Sequence, residues 1–296
     1  MQLSGGQTSK QRGLKNSSIT RVRPVFQQLL QKDRYGRTWL TDLLVLALRK
    51  RRSPPEVICV PGLLLKEIAE TRRYSDRILQ GYGVKQPIDL ENCFEKRLPP
   101  PSEFLRWLIQ NLGQLIRSGD KRLNNLTDDR RDFFDEDKPD VQRAAVERAL
   151  DKLNSLKAKE SFRQWWAFEG FTEVDCYLET DKLIILIEGK RTEPLSSATM
   201  WYPKRNQIIR NLEVAREVAT AKNKEYGVLL VVEDPIPFDV KKEALVGLPH
   251  LSKEEVDEIS NHYLGCLTWR EVCHDTGVSF SELPDTTKEV AAQLKK

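Results

Sequence analysis

The segment Leu183-Ile184-Ile185-Leu186-Ile187-Glu188-Gly189-Lys190 constrains this chain more than any other. Its five consecutive apolar residues, mostly β-branched, read as a strand buried on both faces. Such a strand needs a sheet with helices on either side, which selects the α/β class. The run passes without a break into Glu188 and Lys190, two charges that a buried strand excludes unless they are partnered. Residues two apart in a strand share a face, so Glu188 and Lys190 point one way and Gly189 the other.

The preceding stretch, EVDCYLE (173–179), reads as a second strand with Asp175, Tyr177 and Glu179 on one face and Val174, Cys176 and Leu178 opposite. A two-residue turn at Asp181-Lys182 pairs Thr180 with Leu183 and thereby sets Asp175 directly across from Glu188. Side chains in that relation lie about 4.5–5.5 Å apart at Cβ, and like charges there destabilise a sheet. The arrangement lacks a cation. A divalent metal would supply it: Mg²⁺ or Mn²⁺ takes carboxylate oxygens and keeps waters, the coordination that positions a nucleophile on a phosphodiester. The plainer alternative is a charged strand end, with Lys190 and Arg191 neutralising the two carboxylates.

The flanking pattern extends the α/β unit. DVQRAAVERALDKLNSL after Pro139 is an amphipathic helix with Asp140 as N-cap. WWAFEG (165–170) reads as a first strand, followed by the two above. KRNQIIRNLEVAREVATAKN makes a helix over about 204–223, and YGVLLVVED (226–234) a fourth strand. Beyond Pro235, LSKEEVDEISNHYLG and TWREVCHDTG read as two more helices.

Asp175, twelve intervening residues, and Glu188-Gly189-Lys190 on a hairpin, within a helix-strand-strand-strand-helix-strand order, resemble the PD-(D/E)xK nuclease superfamily. The resemblance covers about 139–234. It implies a restriction-endonuclease-like core with a mixed central sheet. It implies Asp175 and Glu188 as metal ligands with the Gly189 carbonyl as a third, and Lys190 as the catalytic lysine. Val174 stands where the motif nominally has proline, a position that varies within the superfamily. Members often carry an acidic residue on the helix before the sheet, for which Glu147 is the candidate; a solvent-facing glutamate is the alternative. Some branches carry a glutamine on the later helix, which here is Gln207.

Four residues on from Gln207, Asn211 lies on the same helix face with Arg210 adjacent. Lys204 and Arg205 at the helix N-terminus suit phosphate contacts. These four basic and amide side chains, Lys204, Arg205, Arg210 and Asn211, form the candidate nucleic-acid contacts. Glu173 shares a strand face with Asp175 and is a candidate further acid. Trp165, Trp166, Phe168 and Phe171 read as core, and His262, Cys266, Cys273 and His274 lack the C-x-x-C pair of a structural zinc site. No phosphate-binding GxxxxGK[ST] or GxGxxG loop is present.

Charge divides the chain. Residues 1–123 carry 23 Lys/Arg against 11 Asp/Glu, net +12, and the remainder is net −8. A basic half suits an anionic partner such as nucleic acid, DNA above all, or is a solvated helical surface. Residues 1–20 read as a disordered polar tail, and 21–126 as a mainly helical region that binds nucleic acid or a protein partner. That region includes a helix over 38–52, a short strand at 57–60, a helix over about 63–79 and another opening at Ser102. The tract 127–140 reads as a boundary, and 139–296 as the nuclease-like domain. Five widely spaced cysteines and no membrane-length apolar run point to a cytoplasmic protein without membrane attachment. The expectation is a Mg²⁺-dependent DNA nuclease, alone or as a homo-oligomer. The alternative is a nuclease-fold nucleic-acid-binding or scaffold subunit of a repair or defence assembly.

Overall fold

The computed structural model describes residues 16–51, 86–115, 131–135, 137–155, 168–199 and 202–293. The strand expected at 57–60 and the helix at 63–79 lie outside these residues. Five strands form one mixed sheet in the order β1 (Phe94–Leu98), β2 (Thr172–Glu179), β3 (Leu183–Gly189), β4 (Glu225–Val232) and β5 (Tyr263–Thr268). β1 and β3 each run antiparallel to β2, whereas β3, β4 and β5 are mutually parallel. A parallel connection requires a crossover. Between β3 and β4 it is the helix Gln207–Lys222, and between β4 and β5 the pair Val240–Gly247 and Lys253–Asn261.

In chain order the helices are α1 (Arg23–Lys32), α2 (Trp39–Arg51), α3 (Ser102–Gln110), α4 (Pro139–Ser155), α5 (Gln207–Lys222), α6 (Val240–Gly247), α7 (Lys253–Asn261), α8 (Trp269–Thr276) and α9 (Thr287–Gln293). Both faces of the sheet are covered. Ile185, Ile187, Leu229 and Val231 pack on one side with α1, α2 and α8. Ile184, Leu186, Val228 and Leu230 pack on the other with α5, α6 and α7. Every residue of β3 is buried, as a doubly covered central strand requires. A satellite core joins α3 and α4 through Leu105, Leu108, Ala149 and Leu153. Among the described residues no helix is long and apolar enough to cross a membrane.

Two strands differ from expectation. Residues 168–170 are not in a strand, and 165–167 of the strand expected at 165–170 lie outside the described residues. Its place beside β2 is taken by β1, whose FEKRL sequence alternates half-buried and exposed positions. An edge strand rich in charge carries no apolar run to announce it. β5 begins at Tyr263, inside the last three residues of LSKEEVDEISNHYLG, which reads as helix throughout. α7 stops at Asn261, and Gly265, at φ 115°, adopts a conformation no helix contains.

The N-terminal region shares the sheet and the core with the rest of the chain. β1 belongs to it, and Val25, Phe26, Leu29, Leu40 and Leu43 of α1 and α2 are buried on the same face as Ile185 and Ile187. Residues 16–20, expected within a disordered tail, are ordered: Ser17, Ser18 and Thr20 are buried, and Ser18–Val22 form a wide helical turn leading into α1.

Candidate active site

The β2–β3 hairpin turns at Asp181-Lys182, with the Thr180 amide donating to the Leu183 carbonyl at 2.8 Å. The ladder pairs Glu179 with Ile184 and continues to Cys176 with Ile187. The next residues in that register are Asp175 and Glu188. Here the ladder changes character. Val174 packs with Tyr177 on the α5 side, whereas Cys176 and Leu178 face the other core. Side-chain alternation therefore slips at Asp175, and Val174 does not share a face with Cys176 as strict alternation would have it. The Gly189 amide donates to the Asp175 carboxylate (Oδ2, 2.8 Å) in place of a backbone carbonyl.

Glu188 is only 1% exposed and is surrounded by donors. Its Oε1 accepts from Lys190 Nζ at 2.8 Å and from Gln207 Nε2 at 2.7 Å, and its Oε2 accepts from Asn211 Nδ2 at 3.1 Å. Gln207 opens α5 and Asn211 follows one turn later, so a single helix face brings both amides to the carboxylate. Asn206 caps that helix, its side chain accepting from the Ile209 amide. Lys190 is fixed through its backbone: its amide donates to the Val231 carbonyl, and its own carbonyl accepts from the Trp269 indole at 3.1 Å.

The electrostatics are unbalanced. Burial and the neighbouring Glu188 push the Asp175 carboxyl well above the ordinary range, against the pull of the Gly189 amide and Lys190. Burial opposes the Lys190 charge, yet Glu188 and Asp175 outweigh it and raise its pKa, so this lysine is an ammonium. Two carboxyl groups thus face one cation and two neutral amides. Two neighbouring carboxyl groups are oxygen ligands of the kind a hard divalent cation takes. Asp175 and Glu188 fit as its holders. The Gly189 carbonyl already accepts from Ser17 Oγ at 2.8 Å, so one of its two lone pairs is engaged. Among the described residues no three His, Cys, Asp or Glu side chains converge as a metal-holding group.

Arg205 is not available for phosphate. It is fully buried, forms a two-pronged pair with Glu169 at 2.8 and 3.2 Å, and reaches Glu213 at 2.6 Å. Its helix begins at Gln207, three residues later than expected, so Arg205 precedes the helix instead of lying in its first turn. Asn211 is likewise fully buried and cannot meet nucleic acid from the surface. Arg210 is partly exposed and bonds Thr172 Oγ1 at 3.0 Å, with Nε 3.7 Å from Glu169. Lys204 is exposed on the loop before α5. Glu147 faces solvent on α4, opposite the Ala145–Ala149–Leu153 stripe. Glu173 is exposed opposite Arg97; with its neighbour Val174 facing α5, it points away from the cluster. Arg191 also turns away, binding Asp285 at 2.9 Å and Thr20 at 3.1 Å, and Lys190 is the cation that hydrogen-bonds Glu188.

Three contributors were not foreseen in the sequence. Ser17 holds the Gly189 carbonyl, and its own amide donates to Glu193 at 3.2 Å. Val22 and Trp269 press on Gly189, where an added Cβ would collide with Val22 and come within 2.9 Å of the indole. Only the glycine in Glu-Gly-Lys hinted at such close approach. A cavity of about 290 Å³ lined by Lys96, Tyr177, Glu179 and Lys224 lies at the other end of the hairpin, away from this cluster.

No protein-family model, curated protein or solved structure matches the chain.

Proposed function

We propose that this chain is a divalent-metal-dependent nuclease that hydrolyses phosphodiester bonds, with DNA as the substrate. The observation that carries the proposal is the convergence of Asp175, Glu188 and Lys190 at the buried end of β3. Two carboxyl groups there share one ammonium. A restriction-endonuclease-like reading of the core belongs to the same proposal, supported by the hairpin, α5 and β4 in succession.

Asp175 and Glu188 would hold Mg²⁺ or Mn²⁺, with the second lone pair of the Gly189 carbonyl as a further oxygen. The bound cation supplies Lewis-acid stabilisation of phosphate charge and lowers the pKa of water. The chain's own residues set the rest. Gln207 and Asn211 hold Glu188 in one orientation. Lys190, an ammonium fixed through its backbone, orients the attacking water and stabilises negative charge on the phosphate oxygens. Its raised pKa argues against a role as proton acceptor. Exposed Lys204 and partly exposed Arg210 would meet the nucleic-acid backbone.

The test is cleavage of plasmid and linear DNA, with RNA in parallel, in Mg²⁺ or Mn²⁺. Wild-type protein is expected to cleave DNA, and Asp175→Ala and Lys190→Ala to lose about 10²–10³-fold or more in rate. Equal cleavage by wild type and both variants would assign the activity elsewhere. Preferential RNA cleavage would replace the substrate.

A further inference from the structure

Asn211 is more deeply placed than a helper of Glu188 needs to be. Its side chain is fully buried, and Nδ2 donates to Glu188 Oε2 at 3.1 Å. Its Oδ1 is also buried and has no hydrogen-bond partner. The amide cannot be reversed to cure this, because that would aim its oxygen at a carboxylate acceptor. Native structures rarely leave a buried acceptor unpaired, and an exception points to strain, a water or an ion.

Three other buried polar atoms without a hydrogen bond have a charged group nearby. Arg191 Nε lies 3.6 Å from Glu233, Arg210 Nε 3.7 Å from Glu169, and Glu213 Oε2 2.6 Å from Arg205. Asn211 Oδ1 is the orphaned acceptor held within the cluster itself, one amide-width from the atom that binds Glu188.

We infer that Asn211 is a positioning residue for the hydration shell of the divalent cation: Nδ2 orients Glu188, and Oδ1 accepts a hydrogen bond from a water in that shell. This rests on the proposed metal site. Mg²⁺ and Mn²⁺ keep several waters when only two carboxylates hold them, and a polarised water is a strong donor. Outer partners of this kind typically change metal affinity by about 10–100-fold.

The experiment measures Mn²⁺ binding to the full chain by electron paramagnetic resonance, with melting temperature recorded in the metal-free state. Wild type, Asp175→Ala, Asn211→Ala and Asn211→Leu are compared. The inference expects both Asn211 variants to weaken Mn²⁺ binding about ten-fold or more. Their metal-free melting is expected to fall modestly, since Glu188 Oε2 loses its Asn211 donor, so binding is measured well below the melting range. Wild-type affinity in the Asn211 variants, with Asp175→Ala losing the ion, would overturn this inference and leave the metal site standing. Failure of wild type to bind Mn²⁺ would overturn both. Should neither variant fold, wild-type protein labelled with ¹⁵N-asparagine decides. Mg²⁺ is then expected to shift the Asn211 side-chain amide resonances, and an unshifted pair would overturn the inference.

Discussion

Two buried ionic clusters flank the first half of α5, and they are built on opposite accounts of charge. In one, Arg205 lies between Glu169 and Glu213 with its guanidinium 3.8 Å from the Phe104 ring centroid, and His250 closes on Glu213 at 2.6 Å. Arg210 adds a second cation near Glu169. Each carboxylate has a cation, and the cluster ties α3, α5 and the loop after α6 together. In the other, Asp175 and Glu188 share Lys190 and two uncharged amides, and Asp175 stays protonated well above the ordinary carboxyl range. Burial of charge is common to both and distinguishes nothing. What differs is pairing: in one cluster each carboxylate has a cation beside it, and in the other two carboxyl groups share one ammonium, the feature on which the proposed cation site rests.

The largest expected effect tests the Arg205 cluster. Arg205→Ala would strand Glu169 and Glu213, both buried, and breaking a buried pair in this way costs about 3–5 kcal/mol. A fall in Tm of about 10 °C is expected in a thermal melt, and Mg²⁺ should not restore it. Lys190→Met should cost less, because Glu188 keeps the Gln207 and Asn211 donors, and part of its loss should return with Mg²⁺. If Mg²⁺ rescues Arg205→Ala and not Lys190→Met, the two clusters have been assigned the wrong way round.

Next in size is Gly189→Ala. A Cβ there meets Val22 and Trp269, neither of which is the far end of a flexible side chain. Overpacking of this kind costs about 1–3 kcal/mol, measured as a lower denaturation midpoint. No loss at that position would mean the N-terminal turn can withdraw from the strand, and the site would then be open on that side.

The third test acts on the cluster of Asp175 and Glu188 and has the opposite sign. A carboxyl whose folded pKa is raised stabilises the fold fully below its unfolded pKa and ceases to do so as pH climbs through the folded value. Metal-free wild type should therefore lose stability as pH rises from about 4 toward the raised value. Asp175→Asn removes the titration and keeps an oxygen for the Gly189 amide. In chelator, its Tm is expected to exceed wild type by about 2–4 °C at pH 8, with the gain vanishing near pH 4. Excess Mg²⁺ should stabilise wild type and not the variant, narrowing or reversing that gap. A variant no more stable at pH 8 would show that the two carboxylates do not oppose one another.

The contrast between the clusters also explains how much could be read from the chain. Asp175, Glu188 and Lys190 were legible because strand period and a two-residue turn fix them locally, and the observed register follows that count. Gln207 and Asn211 were half legible: helix period put them on one face, but nothing local said that the face meets Glu188. Arg205 was misplaced, since its partner Glu169 becomes a neighbour only once α5 has docked, and an arginine before a helix looks like a phosphate contact. β1 and β5 escaped for a related reason. Pairing with β2 and β4 makes them strands, and their own sequences, FEKRL and YLGCLT, carry too weak a period to say so.

Ser17→Ala makes the smallest change and probes the join between the two halves of the chain. Ser17 is buried, and its hydroxyl donates to the Gly189 carbonyl while its amide donates to Glu193. Losing the hydroxyl should cost about 1 kcal/mol, the usual net worth of one hydrogen bond with part of the desolvation cost of an orphaned carbonyl. Its informative consequence is at the cluster of Asp175 and Glu188. With the hydroxyl gone, the Gly189 carbonyl has both lone pairs free, so Mn²⁺ should bind at least as tightly as to wild type, despite the lower stability. Weaker binding would mean that Ser17 aims the carbonyl, and that the N-terminal turn is part of the site. Either way, the polar stretch Asn16-Ser17-Ser18 acts on β3 from more than 170 residues away, a distance across which local pattern carries no information.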